Sequence, residues 1–164
     1  MSELTIRSAV PDDAVTICAF VTALEGHVSA RSAIPATSED IRRDMFGPDA
    51  VAHAEILERD GKPIGLINWY PVYSTWLGRR GLYVLDIYVD DAERGQGHAR
   101  RLLSHLAAMA RDKGGAFLKL EVDRNNDHAA AVYRHLGFKS SETDPNLLTG
   151  DAFEQLAGQS AKGS

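Results

Sequence analysis

The 164-residue chain has a single cysteine, Cys18, so no internal disulfide can staple it and burial must hold the fold together. No apolar run reaches the length that crosses a bilayer, and the opening Met1-Ser2-Glu3-Leu4 lacks the basic and apolar regions of a secretory signal. A cytoplasmic protein with no membrane partner is the expectation. Positive charge is in short supply: 18 Lys and Arg against 23 Asp and Glu leave a formal net charge of −5. That balance disfavours nucleic acid as a partner and mildly favours cationic small molecules. Metal-ligand clusters are missing too, because His98 and His105, like His128 and His135, stand alone on helical stretches; no metal site is expected. Cys18 lies on the apolar face of an expected helix, where a packed thiol is the simple reading and a reactive thiol the alternative. The remaining composition is that of an ordinary globular protein, long enough for one domain.

What is present is organised around one stretch. Residues 82–89, Leu-Tyr-Val-Leu-Asp-Ile-Tyr-Val, form an apolar, aromatic and β-branched run of strand length, followed by the acidic turn Asp90-Asp91-Ala92-Glu93. Then comes Arg94-Gly95-Gln96-Gly97-His98-Ala99-Arg100-Arg101 and a helical pattern with Ala99, Leu102, Leu103, Leu106 and Ala110 on one face. Strand, glycine loop, helix is a phosphate seat. The first-turn amides and the positive end of the helix dipole open onto the loop, Gly95 and Gly97 let an anion reach the backbone, and Arg94 adds a charged donor. A P-loop is excluded because no Gly-Lys-Ser/Thr follows, and a dinucleotide fingerprint fits poorly because Arg100 stands where a third small residue belongs.

Along the chain, residues 4–7 alternate as a first strand, and Pro11-Asp12-Asp13 opens a helix with Ala14, Ile17, Cys18, Val21 and Leu24 on its buried stripe. Residues 27–36 have no clear period and read as a surface loop. Thr37-Ser38-Glu39-Asp40 is a capping box for a short helix stopped by Gly47-Pro48. Residues 52–59 and 64–70 read as a hairpin around Asp60-Gly61, followed by the aromatic cluster Trp69, Tyr70, Tyr73 and Trp76 and a turn at 78–81. After the phosphate helix, Gly114-Gly115 breaks the pattern and 117–122 reads as a strand parallel to 82–89, so both strand ends and the helix N-terminus share one edge. Residues 138–140 and 146–149 read as short closing strands, and Asp151-Ala152-Phe153-Glu154 starts a terminal helix. From Gly158 the tail is expected to be disordered.

A second motif is Asn126-x-x-Ala129-x-x-x-Tyr133-x-x-x-Gly137-Phe138, a capped amphipathic helix ended by glycine. The loop Arg94-Gly95-Gln96-Gly97-His98-Ala99 resembles the pyrophosphate-binding motif of the GNAT superfamily of acetyl-CoA-dependent N-acetyltransferases, and this second motif is similar to the one that follows that family's fifth strand. Within the superfamily, Thr37-Ser38-Glu39-Asp40, Trp76-Leu77-Gly78 and residues 82–89 resemble the diamine (spermidine/spermine) acetyltransferase branch, a likeness that spans most of residues 4–157. The chain departs from that branch where it carries paired acids, Glu-Asp, in the central strand: here the pair is Leu85-Asp86. The resemblance implies an α/β (α+β) fold in one domain, residues 1–157, with a mixed sheet of about six to seven strands splayed between two parallel strands and about four to five flanking helices. It also implies a homodimer.

Acetyl transfer from a thioester to an amine needs a neutral amine held beside the carbonyl, a donor for the developing oxyanion and a proton for the leaving thiolate. Direct attack needs no covalent enzyme intermediate. Tyr133 suits the acid role, since a phenol with an ordinary pKa of about 10 stays protonated near neutrality, and the resemblance assigns it that role. The resemblance further implies that backbone N–H groups around Ile87, Tyr88 and Val89 bind the cofactor arm, with Arg94, Gly95, Gln96, Gly97, His98, Ala99 and Arg100 around the diphosphate and Asn126, Ala129 and Tyr133 beyond it. Asp86 is an acid inside an apolar strand, so it either has a structural partner or accepts from the amine. Glu25, Trp69, Tyr73 and Trp76 are further candidates for the amine wall, although the aromatic residues suit core packing equally. The expected activity is transfer of acetyl from acetyl-CoA to a primary amine of a small molecule. Acetylation of a protein or peptide, or silent acyl-CoA sensing, are the alternatives.

Overall fold

A computed structural model of the chain describes residues 2–25, 36–140 and 150–160. The chain divides into two compact units, 1–129 and 130–164. The first is a five-stranded sheet in the order β1 (Leu4–Ser8), β2 (His53–Arg59), β3 (Lys62–Ser74), β4 (Arg79–Val89) and β5 (Leu118–Leu120), antiparallel except for the parallel pair β4 and β5. The helices are α1 (Ala14–Glu25), entered through a single turn at Pro11–Asp13, α2 (Ser38–Phe46), α3 (His98–Asp112), α4 (Asp127–His135), which crosses from the first unit into the second, and α5 (Gly150–Ser160) in the second.

Local chemistry accounts for most element boundaries. Thr37 caps α2: its side chain accepts from the Asp40 amide at 3.2 Å while Asp40 Oδ2 accepts from the Thr37 amide at 2.9 Å, so two first-turn donors are satisfied reciprocally. Asp60-Gly61 makes the β2–β3 turn with both residues at positive φ. On one sheet face Ala54, Ile56, Leu66 and Tyr88 bury against Ala14 and Ile17 of α1 and Ile41 of α2. Cys18 packs on that cluster and its Sγ donates to the Ala36 carbonyl at 3.3 Å, so the packed-thiol reading holds. Side chains alternate along a strand, so Glu55, Ile67 and Trp69 belong to the opposite face, where His105 of α3 and Lys113, the residue that caps its C-terminus, meet Glu55 and Trp69.

Two features of β4 position the site. The ladder with β3 steps by one residue, pairing Asn68 with Asp86 and Trp69 with Val84, so Leu85 is bulged out, 49% exposed. The bulge reverses the phase of the strand: Val84 shares a face with Trp69, while Asp86 and Tyr88 beyond it share the α1 face with Asn68 and Leu66. On its other side β4 pairs with β5 only from Leu82 to Val84. From Leu85 to Val89 that edge has no strand partner among the described residues, and the two parallel strands part there.

Several expectations need correction. The run 138–140 is not in a strand. β3 continues to Ser74 through the aromatic cluster, and β4 begins at Arg79, so the expected turn at 78–81 is mostly strand. Helix α5 runs to Ser160, past the point where a disordered tail was expected. The expected strand at 146–149 and nearly all of the loop at 27–36 lie outside the described residues.

Candidate active site

The glycine loop closes onto α3 as its residue types dictate. Gly95 and Gly97 have φ of 77° and 79°, a conformation that costs an L side chain, and an added Cβ at either would meet nothing within 4 Å. The space beside both backbones is therefore open. Gly97 is the N-cap of α3, contributes no side chain, and no acid stands in the first turn. The amides of His98, Ala99 and Arg100 thus begin the helix without a side-chain cap, at the positive end of its dipole.

The flanking residues are tied down by a network that the sequence did not reveal. Arg59, the last residue of β2, forks onto Glu93 at 3.0 and 2.7 Å and also donates to Gln96 Oε1 at 3.1 Å. His98 is buried, with Nε2 3.4 Å from Glu93 Oε2 and 3.4 Å from Arg59. The hydrogen bond from Arg59 holds the Glu93 carboxyl below its ordinary range. Gln96 and His98 therefore brace the loop through their side chains, leaving the loop backbone to face a ligand. Arg94 donates from Nε to the Val89 carbonyl at 3.1 Å and pairs with Asp91 at 2.9 Å, so it locks the strand end to the loop, and Arg100 is exposed in the first turn of α3.

On β4, Ile87 is half-buried, while the Tyr88 ring stacks on Phe20 of α1 at 4.9 Å. Burial and the nearby Asp90 push the Tyr88 phenol up. Only the backbone of Tyr88 is left for a cofactor. Asp86 has the structural partner that the sequence left as one of two alternatives: Asn68 donates from Nδ2 to its Oδ2 at 3.0 Å. Asn126 accepts from the Ala129 amide at 3.1 Å and so caps α4.

The aromatic candidates separate. Trp69 is 5% exposed on the α3 face, its indole donating to Glu55 at 3.4 Å, its ring 4.5 Å from His53 and beneath Lys113 at 5.3 Å. It is a packing residue, the core alternative that the aromatic cluster left open, and the bulge at Leu85 turns Asp86 onto the opposite face. Tyr73 is exposed near the end of β3, and Trp76 is 98% exposed in the turn that follows. Glu25 is the last residue of α1. In the second unit, Tyr133 packs its ring 5.7 Å from Phe138, and burial pushes its phenol up.

A strand edge released from its partner beside an uncapped, glycine-cradled helix N-terminus suits a ligand with a diphosphate and an amide-bearing arm. The Acetyltransferase (GNAT) family model matches residues 24–138, crossing both motifs. The chain belongs to the GNAT acetyltransferase family. It is an N-acetyltransferase, and GNAT enzymes in general use acetyl-CoA. Thialysine N-epsilon-acetyltransferases from Sus scrofa and Bos taurus are 31% and 32% identical over 97% of this chain and 100% of their own length. Streptothricin acetyltransferase from Streptomyces lavendulae is 40% identical over 50% of this chain and 42% of its own. Among solved structures, a ribosomal-protein-alanine N-acetyltransferase from Brucella melitensis superposes with a TM-score of 0.73 at 20% identity, covering 89% of this chain and 99% of that one. An integron cassette protein of V. cholerae gives 0.77 at 16%, covering 94% and 97%, which extends the likeness in fold.

The sequence did not single out three residues that brace this candidate site. Asn68 was detectable in principle, as an amide in an apolar strand, by the same criterion that flagged Asp86. Arg59 and Glu93 had no signal, since 34 residues separate them and only the sheet brings them together.

Proposed function

We propose that this chain transfers acetyl from acetyl-CoA to a primary amine of a small molecule, by direct attack and without a covalent enzyme intermediate. The observation that carries this reading is the free edge of β4 beyond Val84, set beside the uncapped start of α3. Full-length likeness to thialysine N-epsilon-acetyltransferases supports a small amino-acid-like or polyamine acceptor. The family model crosses the boundary between the two compact units, which supports residues 1–157 as one catalytic domain. A cytoplasmic homodimer belongs to the same reading, and sedimentation of the purified protein checks the dimer.

Acetyl-CoA supplies an activated acyl thioester when bound. In this reading the amides of His98, Ala99 and Arg100 and the backbones of Gly95 and Gly97 receive the diphosphate, with Arg94 and Arg100 adding charge and Gln96 bracing the loop. Backbone donors from Ile87 to Val89 hold the pantetheine arm and polarise the thioester carbonyl. Asn126 orders the start of α4, and Ala129 contributes a small surface beside the arm. Asp86, one oxygen of which accepts from Asn68, also accepts from the amine, so the two roles offered for it combine, and Tyr133 is the proton donor to the leaving sulfur. Tyr73 and Trp76 are the aromatic residues left for the outer wall of the amine site, with Glu25 as a further acid.

The test is CoA release over a panel of polyamines, thialysine-like amino acids, aminoglycosides and peptides, with wild type and Tyr133→Phe. Wild type should turn over small amines. Tyr133→Phe should lower kcat about a hundredfold or more while CoA affinity is kept. The phenol must be protonated to donate, and burial raises it, so kcat should hold through neutral pH and fall only above the ordinary phenol range of about 10. Tight CoA binding with no turnover on any amine would replace the enzyme with a sensor.

A further inference from the structure

We propose that Asn68 is a positioning residue for the acceptor amine, acting through the carboxylate of Asp86. The inference rests on Asp86 facing the amine, as proposed above. Asn68 lies in β3, 4% exposed, between Ala54 on β2 and Asp86 on β4. Its Nδ2 donates to Asp86 Oδ2 at 3.0 Å. A carboxylate only accepts, so this bond fixes which way the amide points and sends Oδ1 in the other direction.

Oδ1 is buried there and, among the described residues, has no donor. An unsatisfied buried carbonyl destabilises the fold, and at a strand position between buried apolar neighbours a leucine would fill similar volume without that penalty. Leu66 and Ile67, just before it, are fully buried without polar atoms. Stability alone does not explain the amide. Its return is the bond to Asp86, which restricts the rotamer of the carboxylate.

The bulge makes this pairing possible. With Leu85 displaced outward, Asp86 stands opposite Asn68 on the α1 face; without the step, the residue at 85 would occupy that register. An acid at 85 would project from the bulge. The cross-strand amide thus holds the single carboxylate of the Leu85-Asp86 pair in one orientation towards an ammonium or amine.

The experiment measures amine binding by calorimetry on the CoA-loaded protein, alongside CoA release, for wild type, Asn68→Leu, Asn68→Ser, Asp86→Asn and the double variant Asn68→Leu with Asp86→Asn. Asn68→Leu should weaken amine affinity about tenfold, raising KM more than it lowers kcat, with CoA affinity unchanged and no loss in melting midpoint. Asn68→Ser keeps a donor on a shorter arm and should recover part of the affinity; it also carries the test should the leucine variant fail to fold. The double variant should bind amine no more weakly than Asp86→Asn alone, because Asn68 acts only through Asp86. Wild-type affinity in Asn68→Leu and Asn68→Ser, additive effects in the double variant, or equal losses of amine and CoA affinity would each overturn the proposal. Amine binding without CoA release would instead remove the enzyme reading and leave this one standing, whereas no amine binding by wild type removes both.

Discussion

Beyond Val84, β4 presents backbone along the edge that β5 has left, and side chains on the face that α1 covers. The backbone edge continues into the loop at Gly95 and Gly97, where small residues and positive φ are the requirement and the identity of side chains matters little. The α1 face depends on one carboxylate, one amide and a bulge that decides which residue stands opposite which. A cofactor shared by a whole family can be held by main chain, which every sequence has. An acceptor that differs between family members must be read by side chains, which each sequence chooses.

Trp69 gives the sharpest test of that division. Its indole is buried on the α3 face and satisfies part of the buried Glu55, whose other carboxylate oxygen accepts from Ser8 at 3.0 Å. Trp69→Ala should therefore cost about 3–5 kcal/mol of stability, read by chemical denaturation, and leave the ranking of amines unchanged. A variant that stays stable but reorders the amine panel would put Trp69 back in the acceptor wall and undo the separation of the two faces. The exposed Trp76 supplies the contrast, since Trp76→Ala should move stability by no more than about 0.5 kcal/mol.

The same division explains what could be read from sequence. The Thr37–Asp40 box, the Asp60-Gly61 turn, the glycine loop and the parallel strands on either side of α3 were legible, because each is encoded within a few neighbouring residues or by a periodic pattern. The placement of Trp69, the partner of Asp86 and the Arg59–Glu93 brace were not. A bulge is a property of two strands in register, so Leu85 looks like any other apolar strand residue until β3 lies beside it. Local signals gave the glycine loop and the family; the surroundings of Asp86 waited for the pairing.

On the backbone side, Gly97→Val tests whether main-chain geometry is the requirement. A Cβ at Gly97 clashes with nothing, so the penalty is conformational: a β-branched residue held at φ near 79° costs about 1–2 kcal/mol or more, and the loop will relax instead. Relaxation moves the amides at the start of α3, and valine fills the open space beside them. CoA affinity by calorimetry should fall about thirtyfold or more, with only a small drop in melting midpoint. Unchanged CoA binding would mean that the diphosphate sits elsewhere.

Glu93 tests the brace beneath that loop and should give the smallest effect, because Glu93 and Arg59 are both partly open to solvent, which screens their attraction. Glu93→Gln keeps the shape of the side chain but removes the charge that Arg59 grips, and it should weaken CoA binding about threefold, less at high salt. The pH dependence follows from the hydrogen bond that lowers the carboxyl in the folded protein. A group whose folded pKa is depressed contributes fully above its ordinary value of about 4.3, and the contribution is lost as pH falls through the lower folded value. Wild type should therefore hold its advantage over Glu93→Gln from neutrality down to about pH 5, and the two should converge only in more acidic solution. Convergence already at neutral pH would mean that the charge of Glu93 does not control the loop.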